Sequence, residues 1–221
     1  MFSIFTAVSP AFERAERELL PTWYANSGAD EIVVRHIDEG SWTANISRRA
    51  VLLREFLMDR LPRGGKVLSL DADCLVLRDL SGGFSDDHII SVARWPNINM
   101  GVLFFNLGVP FKWHDWLRDT VEQIIEEAAK PGRKPAHECD QVVWRPRLHA
   151  MEPKIRKLAE WEWNYNNFDL EQWQNELPGL RDVVRVLHWK GHGDWNYSKL
   201  DEKLELIKTL WPKELACIAS A

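Results

Sequence analysis

The sequence predicts an α/β domain in which a mixed, mostly parallel sheet is flanked by helices. Short apolar segments alternate with longer amphipathic segments through the first half of the chain, which is typical of parallel strands joined by helices. The 221 residues, 45% of them hydrophobic, fit one domain with a sizeable core. We therefore expect a single domain over residues 1–215 and a flexible tail at 216–221.

The predicted strands are short apolar runs bounded by turn-forming residues. The run that begins at Lys66, for example, follows Pro62, Gly64 and Gly65. The predicted strands span residues 3–8, 31–35, 66–70, 89–94, 101–106 and 183–188.

The predicted helices are amphipathic segments over residues 11–20, 44–61, 110–129 and 199–211. We expect the first to end near Pro21 and the third to carry Pro110 in its first turn. The second repeats apolar residues at intervals of three and four; these are Ile46, Ala50, Leu53 and Leu57. Residues 130–139 are polar and predict a loop.

Composition excludes several classes of protein. The net charge is −5 without a cluster of Lys and Arg, so a nucleic acid is not an expected partner. No apolar run is long enough for a membrane span. Three scattered cysteines predict neither a disulfide framework nor a zinc site, and a cytoplasmic location is expected. Twelve tryptophans, five of them between Trp161 and Trp195, predict core packing ahead of ligand stacking.

Two carboxylates, Asp71 and Asp73, follow the strand at 66–70. The carboxyl end of a buried strand faces the crevice where open α/β sheets bind ligands. Buried carboxylates must be paired, protonated or metal-bound, and carboxylates together with substrate phosphates commonly hold Mg²⁺. The pair therefore indicates a divalent metal that binds a phosphate-bearing substrate, and a solvated turn is the alternative.

Four polar clusters follow or interrupt apolar runs, in a fixed order along the chain. They are Asp71/Asp73, Asn97–Asn99, Asp140-Gln141 and His188–Trp195. With the segments Lys66-Val-Leu-Ser-Leu-Asp-Ala-Asp-Cys-Leu-Val-Leu and Asn99-Met-Gly-Val-Leu-Phe-Phe-Asn, this order resembles the GT-A nucleotide-sugar glycosyltransferases. It is most similar to the retaining branch that includes glycogenin and lipopolysaccharide galactosyltransferases (family 8), over about residues 1–195.

The resemblance implies a GT-A fold and transfer of a sugar from a nucleoside diphosphate sugar, expected to be a UDP-hexose. The acceptor would be a hydroxyl of a glycan or another molecule, and the anomeric configuration would be retained. It further implies that Asp71, Asp73 and His188 hold Mn²⁺ (or Mg²⁺) on the donor diphosphate. A borderline ion such as Mn²⁺ accepts carboxylate and imidazole together, although His188 alone could be an ordinary strand-end histidine.

The resemblance also implies donor-binding residues. Arg54 resembles the basic residue that touches the diphosphate, with Arg48 and Arg49 as rivals and a solvated helix face as the alternative. Asn99 and Gly101 resemble the segment that contacts the donor sugar, although Met100 replaces a small polar residue. Further donor contacts are expected at Thr6, Ala7 and Ala72.

Asp140 and Gln141 resemble the catalytic pair beside the anomeric carbon. In the family the aspartate binds hydroxyls of the donor sugar, and the glutamine lies on the face where a nucleophile would stand. The alternative is that Asp140 caps a helix N-terminus.

The last motif departs from the family at its phosphate-binding lysine, since Gly193 stands at that place. Lys190 or His192 could substitute, and Lys190 and Gly191 are the expected donor contacts in this segment.

Two other functions stay open. A phosphatase of the haloacid-dehalogenase type also carries Asp-x-Asp after a strand, but it needs Thr or Val where this chain has Leu75. A non-catalytic carbohydrate-binding protein of the same fold is the second alternative.

Overall fold

The structure is a computed structural model, and it describes residues 1–130, 139–166, 170–189 and 197–218. Strands and helices alternate in a single α/β domain. The strands are β1 Ser3–Val8, β2 Glu31–His36, β3 Lys66–Leu70, β4 Cys74–Val76, β5 Ile90–Ala93, β6 Val102–Asn106, β7 Ile155–Leu158 and β8 Val186–His188. The helices are α1 Glu13–Asn26, α2 Trp42–Arg60, α3 Trp113–Ala128, α4 Cys139–His149, α5 Glu160–Trp163, α6 Leu170–Leu180 and α7 Tyr197–Leu210.

Six strands form one sheet in the order β2-β1-β3-β6-β5-β7. Strand β1 pairs in parallel with β2 and β3, and β5 pairs in parallel with β7, whereas β6 is antiparallel to both of its neighbours. The mixed, mostly parallel sheet predicted from the sequence is confirmed. Strands β4 and β8 form a separate antiparallel ribbon.

The core lies on both faces of the sheet because side chains alternate along each strand. Val67 and Phe105 pack with α2, α3 and α4 on one face, while Leu68 and Phe104 pack on the other with Trp23 of α1. A third cluster joins α1, α6 and α7 to the β4–β8 ribbon. Core packing of the late tryptophans is confirmed for three residues, Trp163, Trp173 and Trp189. Trp161, in contrast, is 48% exposed.

Helix α1 does not end near Pro21, as predicted, but continues to Asn26. Leu19 and Trp23, on either side of the proline, are both buried, and Trp23 Nε1 donates a 2.7 Å hydrogen bond to the carbonyl of Cys74. These tertiary contacts offset the backbone hydrogen bond that a proline removes from a helix.

Other element boundaries in the structure also differ from the predicted ones. Helix α3 begins at Trp113 and not at Pro110, because Phe111 and Trp113 turn into the aromatic cluster that covers Phe105. Only Val186–His188 of the predicted last strand pairs, since the amide groups at 183 and 184 turn back to Leu180. Five strands and helices were not predicted, namely β4, α4, β7, α5 and α6. Helices α4 and α6 each contain a proline, which hides the helical pattern.

Most of the predicted loop at 130–139 lies outside the described residues, although Cys139 belongs to α4. The domain boundary at residue 215 stays a prediction; Ile218 packs against the third cluster, and residues 219–221 lie outside the described part. In the described part of the chain, no helix has the length and apolar character needed to cross a bilayer.

Candidate functional site

A cavity of about 380 Å³ opens at the carboxyl ends of β1, β2 and β3. Ala7 and Ile37 line it from the ends of the first two strands, and Asp71, Ala72 and Asp73 line it from the turn after β3. This is the edge where open α/β sheets bind ligands. Helices α2 and α4 and the loop between β5 and β6 supply much of the wall, and Ser9, Phe12 and His188 complete it.

The structure brings the three predicted metal ligands together. The β4–β8 ladder pairs Cys74 with His188, and the amide of Trp189 donates to the carbonyl of Asp73 at 2.8 Å. His188 Nε2 therefore lies 3.3 Å from Asp73 Oδ1 and 3.5 Å from Asp71 Oδ2. Burial raises the pKa of Asp73 above its usual value, and the neighbouring His188 opposes this effect.

Gly101 explains how the imidazole fits beside the two carboxylates. A Cβ atom at this position would lie 2.2 Å from His188 Cε1 and 2.8 Å from Asn99 Oδ1, which no packed side chain tolerates. Gly101 is not among the lining residues. In this geometry Gly101 leaves room for His188, and its contact with the donor sugar stays a prediction.

A residue that sequence reasoning missed holds the other side of the imidazole. Asn164 follows α5, is fully buried, and places its Oδ1 atom 2.9 Å from His188 Nδ1. A lone asparagine between aromatic residues carries no pattern that would have singled it out.

The basic residue nearest the acidic pair is Arg49, one of the rivals named above. Its guanidinium contacts the Asp71 carboxylate and lines the cavity. Arg54, the residue chosen from the sequence, is not among the described lining residues, and neither is Arg48. Position 54 is five residues further along α2, which turns it about 140° around the helix axis away from Arg49.

The predicted catalytic pair opens helix α4 inside the cavity. Asp140 is the second residue of α4, and its Oδ1 accepts the amide of Gln141 at 2.8 Å. This is not the bond of an N-cap side chain, which reaches an amide two or three residues further along. Burial raises the pKa of Asp140, with Arg49 opposing. Arg145, one turn along α4, donates to Gln141 Oε1 at 2.5 Å and to the carbonyl of Ile98 at 2.9 Å. The i,i+4 spacing of Gln141 and Arg145 was the signal that could have found it.

The loop between β5 and β6 lines a further part of the cavity with Arg94, Asn97, Asn99 and Met100. Asn99 is buried, and its Oδ1 accepts the amide of Gly101 at 2.7 Å. Arg94 has a left-handed backbone (φ 70°), and its Nε lies 3.2 Å from Glu160 Oε1. Asn99 is thus where the sequence predicted it, and Arg94 is an unforeseen cation at the same wall.

An aromatic pair, Phe12 and Trp42, closes the end of the cavity near β1, with ring centroids 5.7 Å apart. Neither was singled out from the sequence. Thr6 is buried below this end, and its Oγ1 has no hydrogen-bond partner among the described residues. Thr6 does not line the cavity, whereas Ala7 and Ala72 do.

The predicted donor contacts Lys190 and Gly191, together with His192 and Gly193, lie outside the described residues. Their roles stay predictions.

Cys74 could also contribute a ligand atom to a metal, because its Sγ lies within 4.8 Å of the ligand atoms of Asp73 and His188. Burial, together with the charge of Asp73, raises the pKa of the Cys74 thiol well above its usual value. The thiol lies 3.9 Å from the carbonyl of Gly101, to which it donates. Since the thiolate is the metal-binding form, an ion bound at Cys74 would have to displace the thiol proton.

No protein-family profile matches the chain, and no curated protein matches it. Solved structures do match. A glycosyltransferase involved in the glycosylation of the major capsid of PBCV-1 superposes with a TM-score of 0.60 at 15% identity, over 92% of this chain and 98% of that one. Mouse xyloside xylosyltransferase 1 matches with a TM-score of 0.51 at 12% identity, over 86% and 97% of the two chains.

A third match is the glycosyltransferase GlyE of Streptococcus pneumoniae, with a TM-score of 0.55 at 17% identity. It covers 98% of this chain, which spans 63% of GlyE. At these identities the likeness establishes the fold, and the chain has the GT-A glycosyltransferase fold. The nearer resemblance to the glycogenin branch stays a prediction.

Proposed function

We propose that this chain is a metal-dependent glycosyltransferase that moves a hexose from a nucleoside diphosphate sugar, expected to be UDP-linked, to an acceptor hydroxyl. The observation that carries the proposal is the meeting of Asp71, Asp73 and His188 at one wall of the cavity. The matched glycosyltransferase structures support it at the level of the fold.

The donor set fits a divalent cation. Two carboxylates lie within 3.5 Å of an imidazole nitrogen, and that distance lets one ion contact all three groups after small side-chain movements. A set of two carboxylates and one imidazole suits Mn²⁺, and Mg²⁺ is the alternative with weaker preference for nitrogen. Asp71 stays partly exposed to the cavity. A metal held by these three side chains would therefore have coordination positions left for phosphate oxygens.

When bound, the metal would supply Lewis-acid stabilisation of the charge that develops on the diphosphate leaving group. The chain's own residues hold the donor around it. Arg49, freed from Asp71, would pair with phosphate oxygens, and Asp140 would accept hydrogen bonds from hydroxyls of the donor sugar. Asn99 would donate to the sugar from the loop between β5 and β6. Gln141, held by Arg145, would stand at the reacting face, where retention of configuration is the expectation from the family resemblance.

The aromatic end of the cavity supports a nucleotide donor. Phe12 and Trp42 offer ring faces at a distance from the acidic cluster, and base–aromatic stacking stabilises nucleotide complexes by about 1–3 kcal/mol per base. The acceptor, a glycan or another hydroxyl compound, would enter from the open side.

The two alternatives lack support of this kind. A phosphatase of the haloacid-dehalogenase type has no use for an imidazole beside both aspartates, and Leu75 occupies the position of its Thr or Val. A non-catalytic carbohydrate-binding protein would not need Asp140 and Gln141 beside an intact metal set.

The test is cooperative binding of UDP and Mn²⁺, followed by turnover. UDP with Mn²⁺ should raise the melting temperature far more than either alone, because the metal joins the carboxylates to the diphosphate. A ligand at about 100 times its Kd adds roughly 2.7 kcal/mol, or about 5–10 °C for a domain of this size. EDTA should abolish most of the effect.

A panel of UDP-hexoses with Mn²⁺ then identifies the donor by hydrolysis or transfer, with Asp73→Asn as the inactive control. Equal stabilisation by all nucleoside diphosphates without metal would contradict the proposal. Release of phosphate from simple phosphomonoesters would favour the phosphatase.

A further inference from the structure

Three buried side chains form a hydrogen-bonded series from the sugar side of the cavity to the metal set. Asn99 Oδ1 lies 3.5 Å from Asn164 Nδ2, and Asn164 Oδ1 lies 2.9 Å from His188 Nδ1. All three residues are at most 4% exposed. We call this series the Asn99–Asn164–His188 relay.

The backbone fixes the direction of the relay. The amide N–H of Gly101 donates to Asn99 at 2.7 Å, so the receiving atom of Asn99 must be its oxygen. An oxygen can accept from Asn164 but cannot donate to it, so Asn164 presents its NH₂ group to Asn99. The other end of the Asn164 amide is then its oxygen, which can only accept.

The same logic reaches His188. Because Asn164 offers an acceptor, His188 Nδ1 carries the proton, and Nε2 keeps its lone pair in the neutral ring. Nε2 is the atom that lies 3.3 and 3.5 Å from the two carboxylates. Without Asn164 these carboxylates would favour a proton on Nε2, since carboxylates accept hydrogen bonds. Such a proton would occupy the lone pair that a metal needs.

The backbone also holds Asn164 in place. The amide of His188 donates to the carbonyl of Tyr165 at 2.8 Å, and the amide of Asn164 donates to the carbonyl of Glu160 at 2.9 Å. Asn164 is thus fixed between the end of α5 and the β8 strand, without touching the cavity.

We propose that Asn164 is a positioning residue that selects the metal-binding tautomer of His188 and, through the same amide, the orientation of Asn99. This rests on the proposed function, since it assumes that His188 binds the metal. Asn164 therefore links His188 to Asn99 of the loop between β5 and β6. Because Asn99 Oδ1 accepts within the relay, its Nδ2 group would be the one that donates to the donor sugar. His188 Nε2 would bind the metal.

The variants separate the two ends of the relay. Asn164→Asp still accepts from His188 Nδ1 but cannot donate to Asn99, whereas Asn164→Leu removes both hydrogen bonds. The matched control is Asn106→Leu, which removes a buried asparagine with two hydrogen bonds at the opposite end of β6.

The first readout is the tautomer of His188 in the metal-free protein, measured by ¹⁵N NMR of histidine-labelled protein in a pH series that continues until the ring is neutral. The signal is assigned with His188→Gln. Wild type, Asn106→Leu and Asn164→Asp should carry the proton on Nδ1, and Asn164→Leu should move it to Nε2.

The second readout is Mn²⁺ affinity by calorimetry. Asn164→Leu should bind Mn²⁺ about 10–100-fold more weakly, as is usual when the partner of a metal-binding histidine is lost. Asn106→Leu should be unchanged. Asn164→Asp should keep Mn²⁺ affinity and lose affinity for the UDP-sugar relative to UDP, since only the Asn99 end is broken.

A wild-type His188 protonated on Nε2 would overturn the proposal even if Asn164→Leu does not fold. So would an Asn164→Leu protein with unchanged tautomer and unchanged Mn²⁺ affinity. Failure of wild type to bind Mn²⁺, with the proton on Nδ1, would instead refute the proposed function and the metal part of this inference while leaving tautomer selection by Asn164 in place.

Discussion

Arg49 and Asp71 form an ion pair inside the cavity, at the place where a metal would meet the diphosphate. Burial lowers the pKa of Arg49, but Asp71 and Asp140 outweigh burial and raise it above the usual value. The guanidinium thus neutralises an acidic cluster that would otherwise be costly to bury. A divalent cation must compete with Arg49 for Asp71, and Arg49 must then find another anion.

Arg49→Ala should therefore change metal and nucleotide binding in opposite directions. Without the competing guanidinium, Mn²⁺ alone should bind tighter, by about tenfold or ~1.4 kcal/mol. UDP in the presence of saturating Mn²⁺ should bind more weakly, because a phosphate contact is lost. Calorimetric titration with Mn²⁺, and then with UDP, measures both effects.

The control for this prediction is Arg54→Ala, which removes an arginine from the same helix that does not line the cavity. It should leave both affinities unchanged. If Arg54→Ala weakens UDP binding and Arg49→Ala does not, the choice made from the sequence is correct and the counter-ion role of Arg49 is wrong.

Asp73→Asn should abolish transfer without unfolding the protein. The substitution removes a metal ligand, and we expect a loss of at least about 100-fold in kcat/KM, comparable to losing one strong electrostatic contact in a transition state. Stability without metal should not fall, because burial already disfavours the ionised form of Asp73. Activity assays and urea unfolding measure the two quantities. Asp86→Asn, at an exposed carboxylate paired with Lys66, is the control that should keep full activity.

The elements that the sequence predicted well are those whose pattern is local. The strand at Lys66–Leu70 is a short apolar run after breakers, and α2 repeats apolar residues at helical spacing and begins with a Ser41 cap. The direction of β6 carries no such signal, because an apolar run has the same composition whichever way it is paired. Prolines at 146 and 178 disguised two helices.

In the site, too, the residues with a local sequence pattern could be predicted and those that depend on tertiary packing could not. Asp71, Asp73 and His188 follow apolar runs, so their position at the sheet edge could be predicted. Choosing between Arg49 and Arg54 needs the angle of α2 about its own axis relative to Asp71, and that angle depends on packing against the sheet. The side chain of Asn164 contacts His188 and Asn99, which lie 24 and 65 positions away along the chain, and local sequence holds no information about such contacts.

Gly101→Ala should weaken Mn²⁺ binding although Gly101 does not line the cavity. The new Cβ would lie 2.2 Å from His188 Cε1, so the imidazole or the β6 backbone must shift. We expect about 10-fold or greater loss of Mn²⁺ affinity, since metal sites depend on ligand geometry. Gly179→Ala, at a glycine with open space around its Cβ position, is the control. Calorimetry that finds normal Mn²⁺ affinity in Gly101→Ala would show that the site has more room than the distances indicate.

Asp140 should make the metal-free protein less stable as the pH rises. Burial raises its pKa in the folded protein above the value near 3.9 of the unfolded chain. A raised pKa means that the folded state binds the proton more tightly, so this contribution to stability is fully present below about pH 3.9 and is lost as the pH rises through the folded-state pKa. Asparagine cannot ionise, so Asp140→Asn should gain stability relative to wild type over the same range and hold that difference at higher pH. Urea unfolding between pH 4 and pH 8, with EDTA present, measures the difference.

The exposed Asp86 gives the opposite case, because Lys66 lowers its pKa. Asp86→Asn should be less stable than wild type by a nearly constant difference at pH 5 and above, and the difference should disappear only below about pH 3.9, the value of the unfolded carboxyl. If Asp140→Asn is likewise less stable than wild type across pH 5–8, Arg49 stabilises the Asp140 carboxylate more than burial destabilises it.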